Sequence, residues 1–220
     1  GMSLTSDQSK LFVSNTLPTT IIKYEMSTAG DLSTATFTEP DTNWLGSITD
    51  YETEPNGLYI GDSGAALYIV GDTGDDVTQY TLSTAYDLTT ASYTRAFSVS
   101  SQLSNPNNIW FKSDGTTMYV QAVTGAVYVY NLSTAWNIST ASYSANYGYS
   151  DLGRNDCFYF KPDGTKVFHV DGAIGEVFGY DLSTAWDLST TTGPSPINYL
   201  ALSGSGPSTM FIDSSGTKLY

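Results

Sequence analysis

Two loops of this chain gather the residue types that could handle a ligand. Glu39–Gly57, "EPDTNWLGSITDYETEPNG", carries Trp44, Asp50 and Glu52, and Tyr149–Cys157, "YSDLGRNDC", sets Arg154 between Asp151 and Asp156. Carboxylates beside an indole and a guanidinium suit noncovalent recognition of a polar ligand, although an ion pair explains Arg154 equally well. Trp44, Asp50, Glu52, Arg154 and Asp156 are therefore the expected ligand-binding set. No catalytic residue, metal ligand or cofactor is assigned. His169 is the single histidine and is flanked by Phe168 and Val170. A catalytic imidazole needs an orienting partner and a nucleophile or metal, so His169 reads as a packed or edge strand residue. "GDTGDD" at 71–76 has three carboxylates without the alternating spacing of a calcium loop and reads as a solvated turn. No Gly-x-Ser-x-Gly elbow or His-Glu-x-x-His pair occurs, and "GSGPS" at 204–208 lacks the lysine of a phosphate loop.

The elements that would position these loops are written in a repeat. "YEMSTAGDLSTA", "YTLSTAYDLTTA", "YNLSTAWNISTA" and "YDLSTAWDLSTT" begin at Tyr24, Tyr80, Tyr130 and Tyr180. A period near 50 residues marks a solenoid or a propeller blade. A second phrase accompanies the first: "FKSDGTTMYV" (Phe111–Val120), "FKPDGTKVFHV" (Phe160–Val170) and "FIDSSGTKLY" (Phe211–Tyr220), with looser copies at 60–70 and 3–13. Asp-Gly between apolar runs signals a hairpin, because glycine accepts positive φ. In the third unit this predicts strands a at Ile109–Lys112, b at Met118–Gln121, c at Ala126–Tyr130 and d near Ser142–Tyr147. Asp31, Asp87, Asn137 and Asp187 recur where an Asx side chain could cap backbone N–H groups, with Leu32, Leu88, Ile138 and Leu188 as anchors. The aromatics Tyr86, Trp136 and Trp186 are expected to cap their own connections, with Trp136 and Trp186 away from the central channel. A ring of aromatics stacking on sugars is the other reading.

The predicted fold is all-β, a propeller of four roughly 50-residue, four-stranded antiparallel blades plus the start of a fifth. Approximate repeats run 2–55, 56–107, 108–156 and 157–207, with a partial repeat at 208–220, in one domain. Tyr (17) and Phe (9) are abundant enough for a core. Eight basic against 22 acidic residues, a net charge of −14, leave no cationic patch, which argues against nucleic acid. No apolar run approaches the length that spans a bilayer. Cys157 alone cannot form an intrachain disulfide. Gly1-Met2 reads as a tag-cleavage scar.

The Asp-Gly-Thr-Lys hairpin followed by "VYVYNLST" resembles the YVTN-type and lactonase-like β-propeller repeats. That resemblance covers nearly the whole chain and implies blade construction; such repeats serve enzymes, surface-layer proteins and binding scaffolds alike. The first expectation is a noncatalytic binding or scaffold module, extracellular, at a surface or on a virion, with a protein or glycan ligand. The alternatives are a propeller hydrolase of lactonase type with its site in the d–a loops, and a glycan binder using Trp136 and Trp186. Because 2–12 aligns with 210–220, a lone closed four-blade ring would leave one hairpin surplus. The expectation is therefore self-association or the remainder of a longer propeller.

Overall fold

Alternating apolar positions and Gly-bearing turns fold each repeat into an antiparallel meander. The computed structural model describes residues 1–5, 7–16, 19–38, 51–148, 155–171, 176–195 and 210. Blade 1 holds β1 (Met2–Leu4), β2 (Lys10–Thr16), β3 (Thr19–Met26) and β4 (Ala35–Thr38). Blade 2 holds β5 (Pro55–Gly61), β6 (Ala66–Gly71), β7 (Asp76–Leu82) and β8 (Ala91–Ser98). Blade 3 holds β9 (Pro106–Phe111), β10 (Thr117–Ala122), β11 (Val127–Leu132) and β12 (Ala141–Tyr147). Blade 4 holds β13 (Asn155–Phe160), β14 (Lys166–Asp171), β15 (Glu176–Leu182) and β16 (Thr191–Ser195). Within every sheet the strands pair in sequence order, giving a four-blade propeller. The third blade's strands lie within three residues of the boundaries expected from its sequence. A bulge recurs between strands c and d of blades 2, 3 and 4, at Gln79/Tyr80, Val129/Tyr130 and Gly179/Asp181.

The core is divided into four apolar clusters, one at each seam between blades. Phe12 and Ile21 meet Leu58, Leu67 and Ile69 at seam 1–2. Tyr68, Val70 and Val77 meet Ile109, Phe111 and Met118 at seam 2–3. Tyr119 and Val127 meet Phe158, Phe160 and Val167 at seam 3–4. Cys157, Phe168, Val170 and Val177 meet Leu11 and Met26 at seam 4–1, where Met210 is also buried. This last cluster brings the fourth blade against the first. Among the described residues the four blades cover one another's apolar faces. Residues 211–220 lie outside the described residues.

The doubled phrase is a pair of capped turns. Asp31, Asp87, Asn137 and Asp187 each accept the N–H two residues on, at 3.0, 3.0, 3.1 and 2.9 Å. Thr34, Thr90, Thr140 and Thr190 each donate a hydroxyl to the carbonyl three residues back at 2.8 Å. The same four hydroxyls accept N–H groups from Thr28, Thr84, Thr134 and Thr184. The connection thus satisfies much of its own backbone, as the Asx and Ser-Thr pattern predicts. Leu88, Ile138 and Leu188 are buried anchors, whereas Leu32 is 38% exposed.

Candidate functional site: an aromatic cup at one end of the ring axis

In an a-b-c-d meander the a–b turn and the c–d phrase lie at the same end of the blade. The phrase backbone bonds directly onto the a–b turn: the N–H groups of Tyr86, Trp136 and Trp186 donate to the carbonyls of Gly64, Gly115 and Gly164 at 2.9, 3.0 and 2.9 Å. Each ring then lies flat on its glycine. A Cβ at Gly64, Gly115 or Gly164 would collide with the aromatic above it, and all three glycines have φ between +72° and +91°. The aromatics are themselves left-handed, with φ of 62°, 64° and 68°. That conformation costs a bulky L-residue of order 1 kcal/mol or more, which ring packing offsets. Blade 1 exchanges the two partners. Gly30 takes the left-handed position, and Gln8, standing where the other blades have glycine, fills the vacated space with its side-chain amide.

These rings form the rim of a cavity of about 320 Å³ to which all four blades contribute. The strand-a residues Tyr59, Trp110 and Tyr159 also line it, each edge-to-face with the next at 5.1 and 4.5 Å between centroids. Blade 1 supplies Leu4, Thr5 and Gln8 instead of rings, so one side of the cup is more polar. Asp62, Ser63 and Ser113 add exposed polar groups at the turns. Asp62 and Ser63 are held at φ of 50° and 55°. Strain of this kind clusters where a site over-determines its backbone. Trp136 and Trp186 therefore cap their connections as expected, but they also line this axial cavity, contrary to the expected separation. The recurring Gly-to-aromatic pairing, with its inversion at Gln8/Gly30, was the sequence signal for this cup.

The expected d–a loop site belongs to the opposite end of the blades. A seven-residue strand such as β5 spans about 20 Å, with Glu52 before its start and the cup beyond its end. Glu52 is 1% exposed. Its Oε1 accepts the N–H groups of Glu54 at 2.7 Å and Thr73 at 3.3 Å, while Oε2 finds no hydrogen-bond partner among the described residues. Burial pushes this carboxyl above the usual glutamate range. Gly71 makes room, since a Cβ there would stand 2.5 Å from the Glu52 carboxyl carbon. Glu52 thus ties the d–a connection to the b–c turn. That turn is further pinned by Asn56 donating to Asp72 at 2.9 Å and by the Asn105 N–H donating to Asp75 at 2.7 Å. Asp156 falls on β13, and Trp44, Asp50 and Arg154 lie outside the described residues. His169 is 1% exposed and packs between Phe178 and Tyr180 at 5.0 and 5.6 Å. Among the described residues no group of three His, Cys, Asp or Glu side chains is placed to hold a metal ion, and no helix is long and apolar enough to cross a membrane.

No family model matches the chain, and no curated protein matches its sequence. Solved propellers resemble it in fold. The periplasmic gluconolactonase of Pseudomonas aeruginosa matches with a TM-score of 0.59 and 12% identity, over 99% of this chain and 63% of that one. A functionally unknown protein of Desulfotomaculum acetoxidans matches with a TM-score of 0.56 and 14% identity, over 88% and 56%. The Cps50 (Swd1) β-propeller domain of Myceliophteria thermophila matches with a TM-score of 0.52 and 9% identity, over 86% and 56%. The chain thus spans less than two thirds of the length of each neighbour. At these identities the likeness establishes the propeller fold and supports the repeat-level resemblance to lactonase-like propellers, and fold alone does not select activity.

Proposed function

We propose that this chain is a noncatalytic propeller module, working outside the cytoplasm, that binds a small ligand in the axial aromatic cup. One observation carries the reading: rings from three blades and polar groups from the fourth converge on one cavity of about 320 Å³. An apolar concavity with a few convergent polar groups is the usual form of a small-molecule site. Ligand-detected NMR with a fragment library tests it, comparing the native chain with Ser113→Trp, which plugs the cup from an exposed position. Fragments that bind the native chain and lose binding in the variant, at unchanged melting temperature, are the expected result. Hits indifferent to Ser113→Trp sink the reading. Turnover in a panel of lactones and esters would instead favour the hydrolase that the gluconolactonase likeness suggests.

A second reading has its own support. Trp136 and Trp186 line the cup together with Asp62, Ser63 and Ser113, pairing apolar ring faces with groups that bond hydroxyls, as a saccharide requires. A glycan array, read against Ser113→Trp, separates a saccharide from other small ligands.

A further inference from the structure

Seam 2–3 contains a guanidinium site that is filled from within the chain. Arg95 on β8 reaches across the seam and donates through Nη1 to Asn137 Oδ1 and to Ser139 Oγ, the latter at 3.1 Å. Beside it Gln79 donates to the Trp136 carbonyl at 3.0 Å. Arg95 pairs in register with Gln79, immediately before the c–d bulge of blade 2. The corresponding pair in blade 3 is Ala145 with Val129, immediately before its own bulge. Both long polar side chains are gone from seam 3–4, and a cleft of about 230 Å³ lies in their place.

The receiving side is preserved there. Asp187 stands where Asn137 stands, and its Oδ1 accepts the Ser189 N–H at 2.9 Å and the Ser189 hydroxyl at 2.6 Å. Asn137 Oδ1 makes the same two contacts while also accepting from Arg95. The cleft therefore presents the acceptor that holds a guanidinium one seam earlier, now as a carboxylate. Tyr119, Tyr147 and Trp186 help to wall it, and Lys112, which also lines it, is paired with Asp114 at 2.8 Å. Guanidinium groups stack on aromatic faces and bond carboxylates in a planar fork, whereas an ammonium does neither as well. A net charge of −14 draws cations toward the surface.

We propose that the seam 3–4 cleft is a docking site for an arginine side chain presented by a partner polypeptide, seated on Asp187 as Arg95 is seated on Asn137. The cleft shares the Trp186 ring with the cup but draws the rest of its lining from other residues, and the proposal does not rest on the cup's ligand. The test titrates N-acetyl-L-arginine methylamide into ¹⁵N-labelled protein and follows amide shifts at Ala145, Asp187 and Ser189, with N-acetyl-L-lysine methylamide as comparison. Saturable shifts at these amides with the arginine compound, and binding about five- to tenfold weaker with the lysine compound, are expected from the loss of the charge-assisted fork. Ala145→Arg should fill the cleft from within and abolish the response. Asp187→Asn, which keeps the turn's hydrogen bonds, should weaken it severalfold. No response, an equal response to lysine, shifts confined to other regions, or a response that persists in Ala145→Arg would each overturn the proposal.

Discussion

Seams 2–3 and 3–4 are built from the same repeat and fastened differently. At seam 2–3 the Trp136 carbonyl accepts two donors, the Tyr68 hydroxyl at 2.6 Å and the Gln79 amide at 3.0 Å, and Arg95 adds a third reach across the gap. At seam 3–4 the Trp186 carbonyl takes the Tyr119 hydroxyl at 2.6 Å, and Val129 and Ala145 replace the other two donors. Seams 1–2 and 4–1 drop even the hydroxyl, because Phe12 and Phe168 occupy the tyrosine's place. Apolar area thus holds every seam, and polar cross-links grade them. The comparison teaches that the repeat specifies the shape of each joint, while single residues set how tightly it is tied.

Acid should separate the two seams most strongly. His169 on β14 occupies the position that Val120 fills on β10, and burial lowers its imidazole from the ordinary 6.5 to about 4. A base with a depressed pKa stabilises the fold fully above the unfolded value and loses that contribution as pH falls from 6.5 toward 4. About 3 kcal/mol is at stake. Melting curves between pH 7 and 4 should show a steep fall for the native chain and a shallower one for His169→Val. Equal slopes would remove the acid-labile joint from the picture.

Cutting the polar ties gives the next largest effects. Gln79→Ala removes the amide that donates to Trp136 and accepts the Ile138 N–H at 3.5 Å, at an expected cost of about 2 kcal/mol in urea unfolding. Tyr119→Phe should cost about 1–2 kcal/mol because it takes the hydroxyl donor from the Trp186 carbonyl. Tyr68→Phe should cost below about 1 kcal/mol, since Gln79 still serves Trp136. The order of the two tyrosines is the sharper readout, and a reversed order would contradict the grading of the seams. Smallest of all, Ala145→Arg should raise the melting temperature slightly, by about 0.5 kcal/mol of stability for a partly exposed pair with Asp187. A loss of stability would show that the cleft does not accommodate the side chain as seam 2–3 does.

Much of this architecture can be read without coordinates. Asp-Gly turns, alternating strands and the doubled Asx-capped phrase depend on neighbours in sequence, so Asp87 and Thr90 announce their own bonds. His169, between Phe168 and Val170, was legible as a packed or edge strand residue, and the structure buries it. What depends on neighbouring blades was not legible. The apolar contact of Leu11 and Met26 with Phe168 and Val177 joins the two ends of the described ring, and nothing local encodes it. The same applies to Leu32, whose sister residues are buried while it is exposed. Trp136 was correctly expected to cap its turn. Yet an aromatic that caps a turn near the axis also lines whatever the axis encloses, and only the ring geometry brings Tyr59, Trp110 and Tyr159 beneath it. Of the expected d–a residues, Glu52 has a described environment, and its role there is to tie two loops together.

The hydroxyl ties also impose an order in time. Tyr68 meets Trp136, and Tyr119 meets Trp186, across 68 and 67 residues of chain. A protein emerging from the ribosome can therefore fasten each blade to its predecessor once the next phrase has been synthesised. The seam between Met26 and Val177 must wait until almost the whole described chain exists. Contacts so distant in sequence pay a larger loop-closure entropy and form late. Of the four described seams, the one between the first and fourth blades is thus the last to be made, and until then it exposes apolar side chains such as Leu11 and Met26.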